Sequence, residues 1–153
     1  MLRWLQNYPR VLETLYDFTD RALKPFQRWL KPGGVVERTF IVTERIGKGA
    51  IFNCQMCGQC VLHSTGLTCP MNCPKTLRNG PCGGVRANGH CEVKPEMRCV
   101  WVKAVERSRK LPWSEEIHDL RPPVDNRLEG TSSWINYATK RDKVTPKGWR
   151  VQA

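Results

Sequence analysis

Apolar residues near the N-terminus recur every three or four positions, which is the spacing of one face of an α-helix. Pro25 interrupts this pattern, because proline ends or kinks a helix. The sequence therefore predicts one helix up to Pro25 and a second short helix over residues 25–30, ended by the KPGG sequence at residues 31–34. The residues that carry the pattern are Val11, Leu12, Leu15, Phe18, Ala22 and Leu23.

This N-terminal region is also rich in aromatic residues, which leaves its role open. The helices could pack on their own domain, dock on a partner protein, or lie on a membrane surface. The acidic residues Glu13, Asp17 and Asp20 count against the membrane surface, which favours a basic polar face. The aromatic residues are Trp4, Tyr8, Tyr16, Phe26 and Trp29.

The pattern changes three times further along the chain. Residues 35–42 are rich in β-branched and aromatic residues, which predicts a short strand. Residues 97–110 combine apolar and C-terminal basic residues, which predicts a helix. Residues 111–153 lose periodicity at Pro112, Pro122, Pro123 and Pro146. That segment is either a loosely packed tail or an extended arm laid over a partner, with aromatic anchors at Trp113, Trp134, Tyr137 and Trp149.

All eight cysteines lie within residues 54–99, and they are the candidate metal ligands. The first three follow a C-x-x-C-x-x-C pattern that matches the first part of a bacterial ferredoxin motif. Ser64 stands where that motif has its fourth cysteine, so a fourth ligand must come from further along the chain. The eight are Cys54, Cys57, Cys60, Cys69, Cys73, Cys82, Cys91 and Cys99.

Eight thiolates would fill two four-cysteine sites, with the first three sharing one site with a later cysteine. Two [4Fe–4S] clusters are the leading hypothesis, and zinc in one or both sites is the alternative. A disulfide framework is disfavoured because cytosolic chains keep their thiols reduced. We expect the backbone of Gly80, Gly83 and Gly84 to approach a cluster, while His63 and His90 remain possible zinc ligands.

Composition sets limits on function. The chain has 153 residues and a formal net charge of +11, but the positive excess is spread evenly along it. A nucleic-acid-binding protein usually concentrates such charge in one patch, so a zinc-ribbon nucleic-acid binder is disfavoured. Neither a secretory signal nor an apolar run of about 18 residues is found, so we expect a cytoplasmic chain without a membrane span. The sequence shows no catalytic set that would act alone.

These observations predict a small metal-stabilised domain of α+β and irregular structure. It would have a cysteine-rich cluster-binding core, N-terminal helices and an extended C-terminal arm. We divide the chain into a helical docking segment (residues 1–50), the cysteine-rich metal domain (residues 51–110) and the arm (residues 111–153). Because apolar residues are sparse among the cysteines, metal would supply much of the folding energy.

Three motifs give a more specific indication: CQMCGQC at residues 54–60, TGLTCPMNCPK at residues 65–75 and LRNGPCGG at residues 77–84. Together they resemble the methylenetetrahydrofolate reductase C-terminal-domain family, over roughly residues 50–105. This family includes the small accessory subunit of a flavin-containing reductase in some bacteria.

The resemblance implies an iron–sulfur subunit that passes electrons to or from the flavin of a separate catalytic subunit in folate metabolism. A further electron donor or acceptor protein could take part. The alternative is a zinc-stabilised structural adaptor of the same kind of reductase without a redox role.

Overall fold

The computed structural model describes residues 6, 8–23, 25 and 33–144, and over these it is a small, mostly helical domain. Its helices are α1 (Pro9–Leu23), α2 (Val35–Phe52), α3 (Val100–Ser108) and α4 (Ser133–Ala138). Short 3-10 segments lie between these helices at His63–Thr65, Pro70–Asn72, Ser114–His118 and Asn126–Leu128, and another, Arg141–Lys143, follows α4. None of the helices in the described ranges is long and apolar enough to cross a lipid bilayer.

Helix α1 confirms the first predicted helix and ends two residues before Pro25. Leu12 is buried in a small apolar cluster with Leu62, Leu67 and Cys69. The residues of the second predicted helix lie, apart from Pro25, outside the described part of the chain. Helix α1 therefore packs on the cysteine-rich region through one side.

The strand predicted over residues 35–42 is wrong, because these residues begin the 18-residue helix α2. The β-branched residues favour a strand locally, but tertiary contacts override such preferences. Glu44 and Lys48, one turn apart on α2, both bond to residues at the start of α4. Without this strand, the predicted α+β class is not observed. Among the described residues only an isolated antiparallel bridge, between His90 and Arg98, has β geometry.

The helix predicted over residues 97–110 is confirmed as α3, which begins directly after Cys99. Trp101 of α3 is almost fully buried and donates its indole N–H to the carbonyl of Leu77, at 3.0 Å. A second apolar cluster forms here around Cys99, Trp101 and Ala104. Each of these two small apolar clusters thus contains a cysteine.

Residues 111–144 fold back on the cysteine-rich region, so this stretch is neither a loose tail nor an extended arm. The backbone N–H of Gly130 donates to the carbonyl of Met56 at 2.8 Å, and the Asn136 amide donates to the carbonyl of Gly58 at 2.9 Å. Trp134, one of the expected anchors for a partner, instead packs against Tyr16 of α1 at a centroid distance of 4.8 Å.

The other aromatic residues expected to anchor a partner differ in their positions. Trp113 stacks on His63 with ring centroids 4.7 Å apart, while Tyr137 is exposed. Trp149 lies outside the described residues. The tail therefore uses two of its tryptophans for internal packing.

Candidate metal centres

The first three cysteines lie on a loop that follows α2 directly. Asn53 ends the helix in the left-handed conformation, with φ 53°, which asparagine tolerates better than most residues. The chain thereby turns into the loop of residues 54–60. A single small cavity is lined by Cys54, Cys57 and Cys60 together with Cys69. We call this set the first cysteine group; the structure thus supplies the fourth member that the ferredoxin spacing left open.

Contacts from the C-terminal half hold this loop in place. The side chain of Gln59 accepts a hydrogen bond from the Asp125 N–H at 2.7 Å and donates one to the Asp142 carbonyl at 3.1 Å. A β-carbon on Gly58 would collide with the backbone of Leu128. The loop geometry therefore depends on residues about 70 positions further along the chain.

Burial changes the acidity of two thiols in the first cysteine group. Desolvation raises the pKa of the Cys69 thiol to about 12 and also raises the pKa of the Cys54 thiol. A free thiol at Cys69 is then protonated at neutral pH. Because a metal ligand must be a thiolate, metal binding at this group has to displace that proton.

The remaining four cysteines line a separate small cavity and form the second cysteine group: Cys73, Cys82, Cys91 and Cys99. Cys99 precedes α3, and its backbone N–H donates to the Gly89 carbonyl at 2.9 Å. The Cys91 N–H donates to the Met97 carbonyl at 2.9 Å. These backbone bonds fold residues 86–99 into a compact turn that brings Cys91 and Cys99 to one cavity.

The three glycines expected near a cluster differ in position. Gly84 lines the second cavity, and a β-carbon there would meet the Glu92 carboxylate. Gly80 has φ 132° and lines a groove next to that cavity. Gly83 is exposed and lines neither cysteine cavity. The structure thus places Gly84 nearest to the second cysteine group.

His63 and His90, the two histidines within the cysteine-rich stretch, lie beside the cavities rather than in them. The His63 ring contacts carboxylates at both nitrogens, with Nδ1 2.7 Å from Glu13 and Nε2 3.4 Å from Glu116. His90 Nδ1 lies 2.7 Å from the Pro95 carbonyl. Neither histidine lines a cysteine cavity, so the cysteines remain the candidate ligands.

A buried ion pair at the first cavity escaped the sequence analysis. Lys48 Nζ lies 3.0 Å from Glu44 Oε2, and both side chains are largely buried. Burial alone would lower the pKa of Lys48, but the negative charges that Cys60, Glu44 and Cys54 can carry raise it overall. The only sequence signal was the i, i+4 spacing of the two residues, which is common on exposed helices.

A large groove lies alongside both cysteine groups. Its volume is about 970 Å³, and it is lined by Cys57 of the first group and Cys82 of the second. The segment between them, including Arg78 and Pro81, forms one wall, and Pro123 and Asn126 contribute to the other side. One surface thus gives access to a cysteine of each group.

All eight cysteines are free thiols. Among the described residues, no three His, Cys, Asp or Glu side chains are arranged to hold a single metal ion.

Comparison with known proteins adds one decisive finding. The profile of the family described as "Methylene-tetrahydrofolate reductase C terminal" matches residues 34–127.

The chain belongs to this family.

The match covers α2, both cysteine groups and α3, and it confirms the resemblance drawn from the three sequence motifs. It also associates the chain with methylenetetrahydrofolate reductase. No curated protein and no solved structure shows significant similarity to the chain.

Proposed function

We propose that this chain is the iron–sulfur accessory subunit of a methylenetetrahydrofolate reductase complex. In this proposal each cysteine group ligates one [4Fe–4S] cluster, and electrons pass to or from the flavin of a separate catalytic subunit. The observation that carries the proposal is the division of the eight cysteines into two cavities of four.

The surroundings of the cysteines suit a buried cluster. The loop of residues 54–60 and Cys69 supply the thiols of the first cavity, and residues 73–99 supply those of the second. Leu62 and Trp101 add apolar surface to the first and second cavity, respectively. Bound clusters would supply one-electron chemistry. The chain itself provides the thiolates, keeps water from the buried cysteines and presents backbone N–H groups to the ligands.

The groove of about 970 Å³ supports contact with a redox partner. Electron transfer needs a short distance between donor and acceptor, and this groove exposes one cysteine from each group. A partner seated there would be close to both centres. Family membership favours the flavin-containing reductase as that partner, and a further electron donor or acceptor protein could use the same surface.

The decisive experiment is metal and sulfide analysis with a visible spectrum, on protein purified without oxygen. We expect a brown protein with about eight iron atoms and eight sulfides per chain, as two four-iron clusters require. Dithionite should bleach its absorption near 400 nm, and addition of the oxidised flavoprotein should restore it.

A colourless protein with one or two zinc ions per chain would contradict the proposal. The chain would then be the structural adaptor of the reductase, with four thiolates holding each zinc. A brown protein that does not exchange electrons with the reductase flavin would retain the cofactor assignment and reject the electron-transfer role.

A further inference from the structure

Arg78 is a buried cation whose hydrogen bonds are incomplete. Its residue exposure is 8%, and its Nη2 donates to the Gln59 carbonyl at 3.0 Å. Its Nε and Nη1 atoms are buried and have no hydrogen-bond partner. No carboxylate within the described ranges forms an ion pair with it. An uncompensated buried charge is costly, so such a group usually indicates a missing anionic partner.

The position of Arg78 limits where that partner can be. The residue lines both the first cysteine cavity and the open groove. Solvent does not reach Nε or Nη1, so water in the groove does not satisfy them. The cavity bounded by Cys54, Cys57, Cys60 and Cys69 remains as the place for an acceptor.

The protein charges near this cavity do not balance by themselves. Glu44 lines the cavity, but its carboxylate is already occupied by Lys48 and by the start of α4. Arg121 is also buried, and burial and the charge of Arg78 lower its pKa, while the nearby Asp119 and Glu116 act in the opposite direction. Arg121 thus has acidic neighbours, and Arg78, which forms no ion pair within the described ranges, is the arginine that needs a negative group. Four thiolates on a dicationic centre supply a net charge of about −2.

We propose that Arg78 is the counter-ion and hydrogen-bond donor of the metal centre held by the first cysteine group, and that its charge raises the reduction potential of that centre. This inference rests on the proposed iron–sulfur function. A positive charge favours the more negative reduced state, and hydrogen bonds to ligand sulfurs act in the same direction. A merely structural arginine would hold the Gln59 carbonyl and leave the potential unchanged.

The test compares the wild type with Arg78→Gln and Arg78→Lys in anaerobic redox titrations followed by EPR. In Arg78→Gln we expect one of the two centres to shift by at least about 59 mV to more negative potential, which is a tenfold change for one electron. The other centre should keep its potential. Arg78→Lys retains the charge without the planar fork, so it should shift the same centre less.

Arg38→Gln is the matched control, because Arg38 is an exposed arginine near the start of α2, at the opposite end of that helix from the cysteine loop. It removes the same charge at the surface and should leave both potentials unchanged. Wild-type potentials in both Arg78 variants would overturn the inference, and so would an equal shift of both centres. If Arg78→Gln does not fold, Arg78→Met replaces it, because methionine also removes the charge while keeping an unbranched side chain, and wild-type potentials in that variant would overturn the inference.

Failure of the proposed function is distinguishable from failure of this inference. If the chain binds zinc in place of iron, the iron–sulfur function is rejected by the metal analysis. The charge argument then still applies, because a zinc tetrathiolate also carries about −2. A chelator should remove zinc from Arg78→Gln at least tenfold faster than from the wild type. Equal rates would overturn the role of Arg78.

Discussion

Gly58 shows how a single residue connects the cysteine loop to the C-terminal half. Its φ is +72°, in the left-handed region that favours glycine, and a β-carbon would collide with the backbone of Leu128. Backbone atoms cannot move aside as a flexible side chain can. Residues 128–136 are therefore seated on the loop only because position 58 has no side chain.

We expect Gly58→Ala to reduce the free energy of unfolding by at least about 1 kcal/mol, since alanine is strained where φ is positive and the collision adds to that strain. Gly49→Ala is the matched control, because Gly49 lies within α2 with nothing within 4 Å of the added carbon. Alanine there should stabilise the helix by up to about 1 kcal/mol. Denaturant unfolding of the metal-loaded proteins measures both, and equal effects would refute the argument.

The contact between α2 and α4 depends on one buried carboxylate. Glu44 accepts hydrogen bonds from the Ser132 hydroxyl at 2.6 Å and from the Trp134 N–H at 3.0 Å, and it pairs with Lys48. It thus caps the N-terminus of α4, where helix N–H groups lack partners within the helix. Helix α4 has six residues, too few to be stable without such support.

Glu44→Gln should lower the free energy of unfolding by about 3 kcal/mol, because it leaves Lys48 buried without its counter-charge. Glu106→Gln is the control, because Glu106 forms an exposed pair with Arg98 and should cost less than about 1 kcal/mol. Chemical denaturation followed by circular dichroism measures the loss. A cost for Glu44→Gln as small as that of the control would contradict the capping role.

The Glu44 carboxylate also makes the folding stability depend on pH, in a direction that its pKa shift determines. Burial would raise the pKa of Glu44, but Lys48 and the hydrogen bonds of α4 hold it below the ordinary value of 4.5. A lowered native pKa contributes stability above the unfolded value, and that stability is lost as pH falls through the native pKa. The advantage of wild type over Glu44→Gln should therefore be full at pH 7 and shrink below pH 4.5.

Glu13 changes folding stability with pH in the opposite direction, because burial raises its pKa above 4.5 despite the nearby His63. Its ionisation costs stability as pH rises, and acidification relieves that cost. The stability of Glu13→Gln should therefore increase relative to that of the wild type as pH rises from 4.5 to 7.

An advantage of wild type over Glu44→Gln that persists unchanged well below pH 4.5 would show that the Glu44 charge is not what supports α4.

At the scale of the whole molecule, the two cysteine groups should act as separate units. Cys54→Ala and Cys69→Ala, alone or combined, should each remove about half of the iron, because they disrupt the same cluster. Cys54→Ala combined with Cys91→Ala should remove nearly all of it. Iron analysis after anaerobic purification tests the grouping. If Cys54→Ala with Cys69→Ala loses more iron than either single variant, the grouping is wrong.

We expect the reductase to contact the outer surface of α1 in addition to the groove beside the cysteine groups. Val11, Leu15 and Phe18 form an apolar stripe at helical spacing, and Phe18 is 70% exposed. Phe18→Glu should weaken binding of the flavoprotein at least about tenfold without changing the metal content, because it removes an aromatic anchor. Leu120→Glu alters a still more exposed apolar residue elsewhere and should bind normally. Calorimetric titration of both variants measures the difference, and wild-type affinity in Phe18→Glu would exclude this surface.

The sequence by itself determined the family and the local helices α1 and α3, and it predicted the metal chemistry. Metal-ligand spacing is a short-range property, so the cysteines of residues 54–60 indicated a metal site without any tertiary information. The helical periodicity of α1 and the apolar and basic pattern of α3 were equally local, and the family motifs are contiguous stretches of sequence.

Only the tertiary structure decided which cysteines share a cavity, because Cys69 joins the first group through the path of the chain and not through spacing. It also turned residues 35–42 into helix, since Glu44 and Lys48 gain partners on α4 that no local pattern reveals. The folding of residues 111–144 over the loop depends likewise on single long-range contacts such as Asn136 with Gly58. Interactions between distant residues leave no periodic signal, and for that physical reason they appear only once the chain is folded.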